Sequence, residues 1–192
     1  MQEKKDQLVL EHMQDEQAHP LNQIGYGIIM RYTVPAFRND PWSVHRNIMQ
    51  ANTLVLVLME QHNPIYIHRS FQGCSAVYTT QEQAVEAGIA IQKVLHTKHI
   101  PAGLAIYKDH GYWEKDLWIS SQEYVAGQIA LFSQHQDLFV LHSLLSEIQL
   151  PVGMGMLPAP KTVQHQTGDR CCTLHDYRDY DEDDHQNTQS DN

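Results

Sequence analysis

Thirteen histidines, three cysteines and a cluster of acids near the C-terminus are the side chains of this 192-residue chain that could hold a metal or move a proton. Their spacing limits what they can do. His96 and His99 stand three apart, which places two imidazoles on one helical face, a spacing that suits a metal clip. No carboxylate or cysteine accompanies them at ligand spacing, so no metal site and no cofactor are expected. Cys171 and Cys172, with His165 and His175, could catch zinc adventitiously, but adjacent cysteines bridge each other only with strain. The chain lacks Gly-x-Ser-x-Gly, Gly-x-x-x-x-Gly-Lys and His-Glu-x-x-His, the patterns of an activated serine, a phosphate loop and a zinc protease. Met154-Gly155-Met156 reads as core packing.

The organising stretch is Tyr66-Ile-His-Arg-Ser-Phe-Gln-Gly-Cys-Ser-Ala-Val-Tyr78. Tyr66, His68 and Ser70 alternate with Ile67, Arg69 and Phe71, the period of a strand. Gly73 supplies a tight turn, and Cys74 to Tyr78 returns. Around this hairpin the elements fall in a regular order. Ile24 to Val34 is a strand closed by Pro35. A helix starts at Asp40-Pro41 and buries Val44, Ile48, Ala51, Val55 and Leu58 before Asn63-Pro64 ends it. Thr80-Gln-Glu-Gln83 has the form of a capping box ahead of a helix lined by Ala84, Ala87, Gly88, Ile91, Val94 and Leu95. Pro101 to Tyr107 is a strand, Lys108-Asp-His-Gly111 its turn, and Tyr112 to Trp118 the return. Ser120 or Ser121 caps a third helix, with Val125, Ile129 and Phe132 inward. Leu138 to Leu141 is a strand, Leu144 to Ile148 a helical turn, and Val152 to Leu157 the last strand.

This order predicts an α+β, ferredoxin-like domain: a mainly antiparallel sheet with helices on one face. The expected organisation is a mobile N-terminal arm over 1–20, the domain over 21–160 and a flexible acidic tail over 161–192, disordered from about Thr167. The formal charge of −10 is uneven, with eight acids against two arginines from Asp169 onward. That balance does not suit nucleic acid or anionic membrane. The longest apolar run, Leu54 to Met59, is too short to cross a bilayer, and nothing behind Met1 resembles a signal peptide. Three cysteines make no disulfide framework, so a reducing, cytoplasmic setting is expected.

The order and lengths resemble the catalytic domain of the class III adenylate/guanylate cyclases. Phe71-Gln-Gly-Cys-Ser-Ala-Val-Tyr78 is similar to the family's Gly-Asp-Gly-Phe-Leu-Ala-Val-Phe hairpin. Thr80 to Leu95 is similar to its following helix. Lys115-Asp-Leu-Trp118 is similar to the Tyr-Asp-Ile-Trp segment before the Gly-x-x-Val-Asn-x-Ala-x-Arg helix. The resemblance covers Ile24 to Pro160. It implies a site in which two aspartates hold two divalent ions, a lysine and an aspartate read the base, an asparagine orients the ribose and an arginine stabilises the transition state.

Carried over by position, most of these groups are replaced. The hairpin aspartate falls on Gln72, and the first-strand aspartate falls near Ile28, within residues 17–39 that hold no Asp or Glu. The base-reading lysine falls on His68 and its aspartate on Asp116, which is kept. The asparagine falls on Glu123 and the arginine on Gly127. Gln72 offers an amide oxygen but no charge to offset a divalent ion. His68 and Asp116 each have two readings, a vestigial purine contact or an ordinary strand histidine and strand-end charge.

The resemblance, with these replacements, implies a catalytically inactive cyclase-homology domain, with no catalytic residues, acting as a regulatory or protein-interaction module. The alternatives are a nucleotide or small-ligand sensor around His68 and Asp116, or a half-site subunit of a heterodimeric cyclase. A homodimer or a protein partner is expected, with Tyr107, Tyr112, Trp113 and Trp118 near its interface. The acids from Asp179 to Asp184 are either a solvated end or a docking peptide for a basic partner.

Overall fold

β1 (Gln23–Tyr32) is mostly apolar and is buried or half-buried from Gly25 onward, because the sheet it belongs to is covered on both sides. Ile28, Met30 and Tyr32 point to one face and Ile29 to the other. The computed structural model describes residues 23–33, 41–133, 137–161, 163–164 and 170–176. Chain order continues through α1 (Pro41–Glu60), β2 (Tyr66–Ser70), β3 (Gly73–Tyr78), α2 (Gln81–Thr97), β4 (Ala102–Glu114) and β5 (Leu117–Ile119). It closes with α3 (Ser121–Ala130), β6 (Leu138–Leu141), α4 (His142–Leu145), β7 (Met154–Pro158) and β8 (Cys171–Asp176).

The strands form one sheet in the order β2-β3-β1-β4-β6-β8-β7, with β5 paired to β4. Its first four strands are antiparallel neighbours, β2 on β3, β3 on β1 and β1 on β4. That arrangement is the ferredoxin-like core the element order predicts, each helix carrying the chain past one intervening strand. β6 lies parallel to β4, and β7 and β8 extend the far edge.

The helices divide between the faces. α1 and α2 pack over Ile28, Met30, Ala76, Tyr78, Leu104 and Ile106, as expected. α3 instead packs over Ile29, Ala105, Tyr107 and Phe139. Its position follows from β4, which runs thirteen residues and carries the chain through β5 before the helix returns toward β6. Each large aliphatic side chain buried on either face contributes on the order of 1.5–3 kcal/mol.

Local signals in the sequence hold where they concern helix starts. The backbone N–H of Gln83 donates to Thr80 Oγ1 and that of Thr80 to Gln83 Oε1, the expected capping box. Ser120 caps α3 by accepting from the Glu123 N–H. Inside α1, Asn52 is 1% exposed and tied on two sides. It accepts from the Tyr32 hydroxyl at 2.8 Å and donates to the Ser70 carbonyl at 3.2 Å, fixing the helix to β1 and to the β2–β3 hairpin.

Two expectations are corrected. Lys108 to Gly111 is not a turn: β4 stays paired to β1 through Gln23↔Gly111, and the chain reverses at Lys115 and Asp116. Gly111 is small for another reason, since a Cβ there would collide with the Trp118 ring. The sheet also does not end with the strand at 152–157. β8 lies between β6 and β7, with Cys171, Thr173 and Leu174 buried, so the ordered body runs past the boundaries placed at 160 and 167. Cys-Cys-Thr-Leu-His-Asp is short and polar at alternate positions, and its partner strands, not its own composition, supply the burial. The arm over 1–20, Pro35, Asp40 and the acids from Asp179 to Asp184 lie outside the described residues.

Candidate functional site

The sheet face under α3 gathers the polar groups. Directly paired residues share a face, so its rows read Ser70–Gly73–Arg31–Gly103, His68–Ser75–Ile29–Ala105 and Tyr66–Val77–Gly27–Tyr107. Gly25 and Asp109 extend it. α3 crosses this surface with Glu123 and Gly127 turned down onto it.

Asp109 holds the start of α3. Its Oδ2 accepts from Ser120 Oγ at 2.8 Å, Gln122 N at 3.1 Å and Ser121 Oγ at 3.2 Å, while Oδ1 accepts from its neighbour His110 N. Burial alone would raise this carboxyl, but the four donors outweigh it and hold the pKa below the ordinary carboxylate value. A carboxylate at a helix N-terminus is also favoured by the helix dipole.

One turn on, Glu123 Oε1 accepts from Ser75 Oγ at 2.8 Å, and Ser75 is 1% exposed. Arg31 comes from β1 on the same face. Its guanidinium lies against Gly127, where a Cβ would stand 3.5 Å from Nε and 3.6 Å from Nη2. Burial lowers the Arg31 pKa and the Glu123 charge works against that, so the two charges sense each other across the face. Arg31 and Glu123 do not close to an ion pair of the kind that Lys108 and Glu147 form.

Tyr107 completes the cluster. Its ring runs from β4 across β1 over Gly27, where a Cβ would overlap the ring itself, so only glycine admits it. The hydroxyl is sealed from solvent and makes no hydrogen bond of ordinary geometry. Burial raises its pKa well above the usual tyrosine value and Glu123 adds to the rise, while Ser120 lies close enough to temper it. Tyr66 is raised for the same two reasons, burial first and Glu123 second.

An aromatic ladder borders the cluster. His68 stacks on Tyr66 with ring centroids 6.5 Å apart, Tyr66 meets Trp113 edge-on at 5.8 Å, and Trp113 meets Trp118 at 5.5 Å. His68 is exposed on β2, and Asp116 is exposed in the β4–β5 turn just after Lys115, whose φ is 56°. The ladder thus joins the strand of His68 to the hairpin of Asp116. Of the aromatics expected at a partner surface, Tyr107 and Trp118 belong to the core, and Tyr112 and Trp113 keep partial exposure.

The hairpin tip is Phe71-Gln72, and the Gln72 carbonyl accepts from the Tyr32 N–H at 3.1 Å. Gly73 follows with φ 151° and lies against the Met30 carbonyl, which leaves no room for a side chain. The expected first-strand position near Ile28 resolves into two faces. Ile28 points into the core under α1 and α2, and Ile29 and Arg31 hold the face under α3. The β1 residue at the level of the hairpin tip is therefore a cation, Arg31, paired in register to Gly73. Arg31 and Asp109 belong to no motif, and Ser75 stands in the hairpin at a position to which the resemblance gives no role. The period-two step from Ile29 is the signal that could show Arg31.

The other candidates separate. α2 ends at Thr97 and His99 takes φ 52°, so His96 and His99 share no helical face. Cys171 and Cys172 are neighbours in β8 and point to opposite sides of the sheet. His165 lies outside the described residues. None of the three cysteines forms a disulfide, and the Cys74 thiol, buried beside Asn52, is pushed up to about 11. No group of three or more His, Cys, Asp or Glu among the described residues could hold a metal. No described helix is long and apolar enough to cross a membrane.

No family model matches the chain, and no curated protein matches its sequence. Its fold, however, is shared with solved structures. An adenylate/guanylate cyclase/hydrolase from Silicibacter pomeroyi is similar at TM-score 0.58 and 14% identity, over 80% of this chain and 95% of that one. A bacterial light-regulated adenylyl cyclase gives TM-score 0.61 at 10% identity, over 82% of this chain and 52% of that one, so the present chain spans about half its length. The guanylate cyclase domain of RhGC from Catenaria anguillulae, solved with GTP, gives TM-score 0.56 at 10% identity, over 80% and 94%. The chain has the fold of the class III adenylate/guanylate cyclase catalytic domain.

Proposed function

We propose that this is a cyclase-fold domain without cyclase chemistry, acting as a regulatory or protein-interaction module that pairs with a second copy or another protein. The observation that carries this reading is Arg31. Phosphoryl transfer with two divalent ions needs anionic ligands between the first strand and the hairpin. There the chain offers a guanidinium, the aliphatic Ile29 and the neutral amide of Gln72. A fixed positive charge repels a divalent ion that a carboxylate would hold. The arginine position of the family helix is Gly127 and the asparagine position is Glu123, an acid that would repel a phosphate.

Purified protein with ATP or GTP and Mg²⁺ or Mn²⁺ is expected to make no cyclic AMP or cyclic GMP above a metal-free control, and Gln72→Asp is expected to stay inactive because Arg31 remains. Product formation by the unmodified chain would refute the reading. Sedimentation that finds only monomer at micromolar concentrations would remove the homodimer.

A second reading rests on the stacked Tyr66–His68 pair beside the hairpin of Asp116. These groups suit a flat polar ligand such as a purine, and a half-site subunit would use Asp116 in the same way. A ligand bound to the folded state raises the melting temperature. A nucleotide panel that leaves it unchanged, with His68→Ala as the comparison, would dismiss the sensor.

A further inference from the structure

α1 has a second working side. It buries Ile48, Ala51, Val55 and Met59 against the sheet. On the side turned away, Arg46, Met49, Gln50, Thr53, Leu54 and Val57 form an open face of the helix. Met49 is 41% exposed and Val57 47%, and with Thr53 between them they form a stripe at four-residue steps along two turns. The rim is cationic. Arg46 stands at one end of this face, and the Arg69 guanidinium of β2 lies 2.9 Å from the Met49 sulfur. An apolar floor with arginines at its edge suits an aliphatic segment that carries carboxylates.

Residues 1–22 have that chemistry. They hold Leu8, Val9, Leu10 and Met13 beside Glu11, Asp15 and Glu16, with five acids against two lysines. Topology puts them at the correct end. β1 and β2 both pair antiparallel with β3, so they run in the same direction, and α1 carries the chain from the end of one to the start of the other. Gln23 and Glu60 therefore lie at the same end of the sheet. Val57 is within a turn of that end, and the stripe from Val57 to Arg46 is about 16 Å long. The chain from Met13 to Gln23 can span up to about 33 Å. The acidic segment over 177–192 fits less well. It follows β8, which is three strands from β1 and runs parallel to it, so it leaves from the opposite end, and it holds no aliphatic residue.

We propose that residues 1–22 dock on this face of α1. Leu8, Val9, Leu10 and Met13 cover Met49, Leu54 and Val57, and Glu11, Asp15 and Glu16 face Arg46 and Arg69. This contact is independent of what the face under α3 binds.

A photoreactive residue in place of Val57 in the full chain tests the contact. The expected product has the mass of one chain, with the cross-linked peptide inside residues 1–22. A cross-link to 177–192, a product of dimer mass, or no product within 1–22 would overturn the proposal. A melting comparison keeps the test independent of the probe. Removing residues 1–22 is expected to lower the melting temperature of the natural sequence by several degrees. The same removal in the Met49→Ser, Val57→Ser background is expected to change little. Equal losses in the two backgrounds would equally overturn it. Both substituted positions are exposed, so the variant keeps its core.

Discussion

The Arg31 guanidinium lies against the Cα of Gly127, and a methyl group on that carbon would stand 3.5 Å from Nε. β1 thus delivers a cation onto α3 at the position where the resemblance places an arginine of the helix itself.

Substitution at this position separates size from charge. Gly127→Ala is expected to gain up to about 1 kcal/mol from helix propensity, because the tightest contact is the flexible Ile29 Cδ1 at 3.3 Å. Gly127→Arg is expected to lose roughly 1–3 kcal/mol by overpacking, since its side chain must displace Arg31. Urea midpoints of the two variants check this. A neutral Gly127→Arg would show that Arg31 moves aside freely.

Ser75 and Glu123 are expected to couple. Ser75→Ala leaves a half-buried carboxylate without its donor and is expected to cost about 1.5–3 kcal/mol, the range for hydrogen bonds to charged groups. A double-mutant cycle with Glu123→Gln is expected to return a coupling of about 1 kcal/mol. Additive losses would mean that each side chain is held by other neighbours.

Asp109 sets an acid limit on α3. Its pKa is lower in the folded chain than in the unfolded one. Its stabilising contribution is therefore complete above the unfolded value, near pH 4, and is lost as the pH falls through the folded value. Asp109→Asn is expected to lower stability at neutral pH by about 1 kcal/mol and to flatten the decline below about pH 4. Denaturant titrations across that range read both effects. An unchanged acid slope in the variant would assign the decline to other carboxyls.

β8 is expected to be indispensable. A chain ended at residue 169 loses the strand that joins β6 to β7 and uncovers the sheet beside Phe139 and Leu141. It is expected to lose cooperative melting. A chain ended at Asp176 keeps all eight strands and is expected to melt cooperatively. Circular dichroism distinguishes the two, and cooperative melting of the shorter chain would show that β7 and β8 are peripheral.

The element order from β1 to β7, the hairpin from Tyr66 to Tyr78, the caps of α2 and α3 and the ferredoxin-like class are legible along the chain. These rest on period-two and period-three-to-four patterns and on capping chemistry, which act between residues close in the chain. Legible too are the lack of a carboxylate over residues 17–39 and the place of Gln72 at the hairpin tip. The rest depends on contacts between distant parts of the chain. Gly111 looked like a turn residue, and its small size serves the Trp118 ring instead, a contact between positions on different strands. Cys171 to Asp176 looked like tail, because a strand inserted between two others takes its burial from them. Ile28 and Arg31 are three residues apart and lie on opposite faces of one strand. Which face meets α3, and hence that a cation stands across from the hairpin glycine, depends on where the helix returns after β4 and β5. That is a property of non-local packing, and no window along the chain contains it.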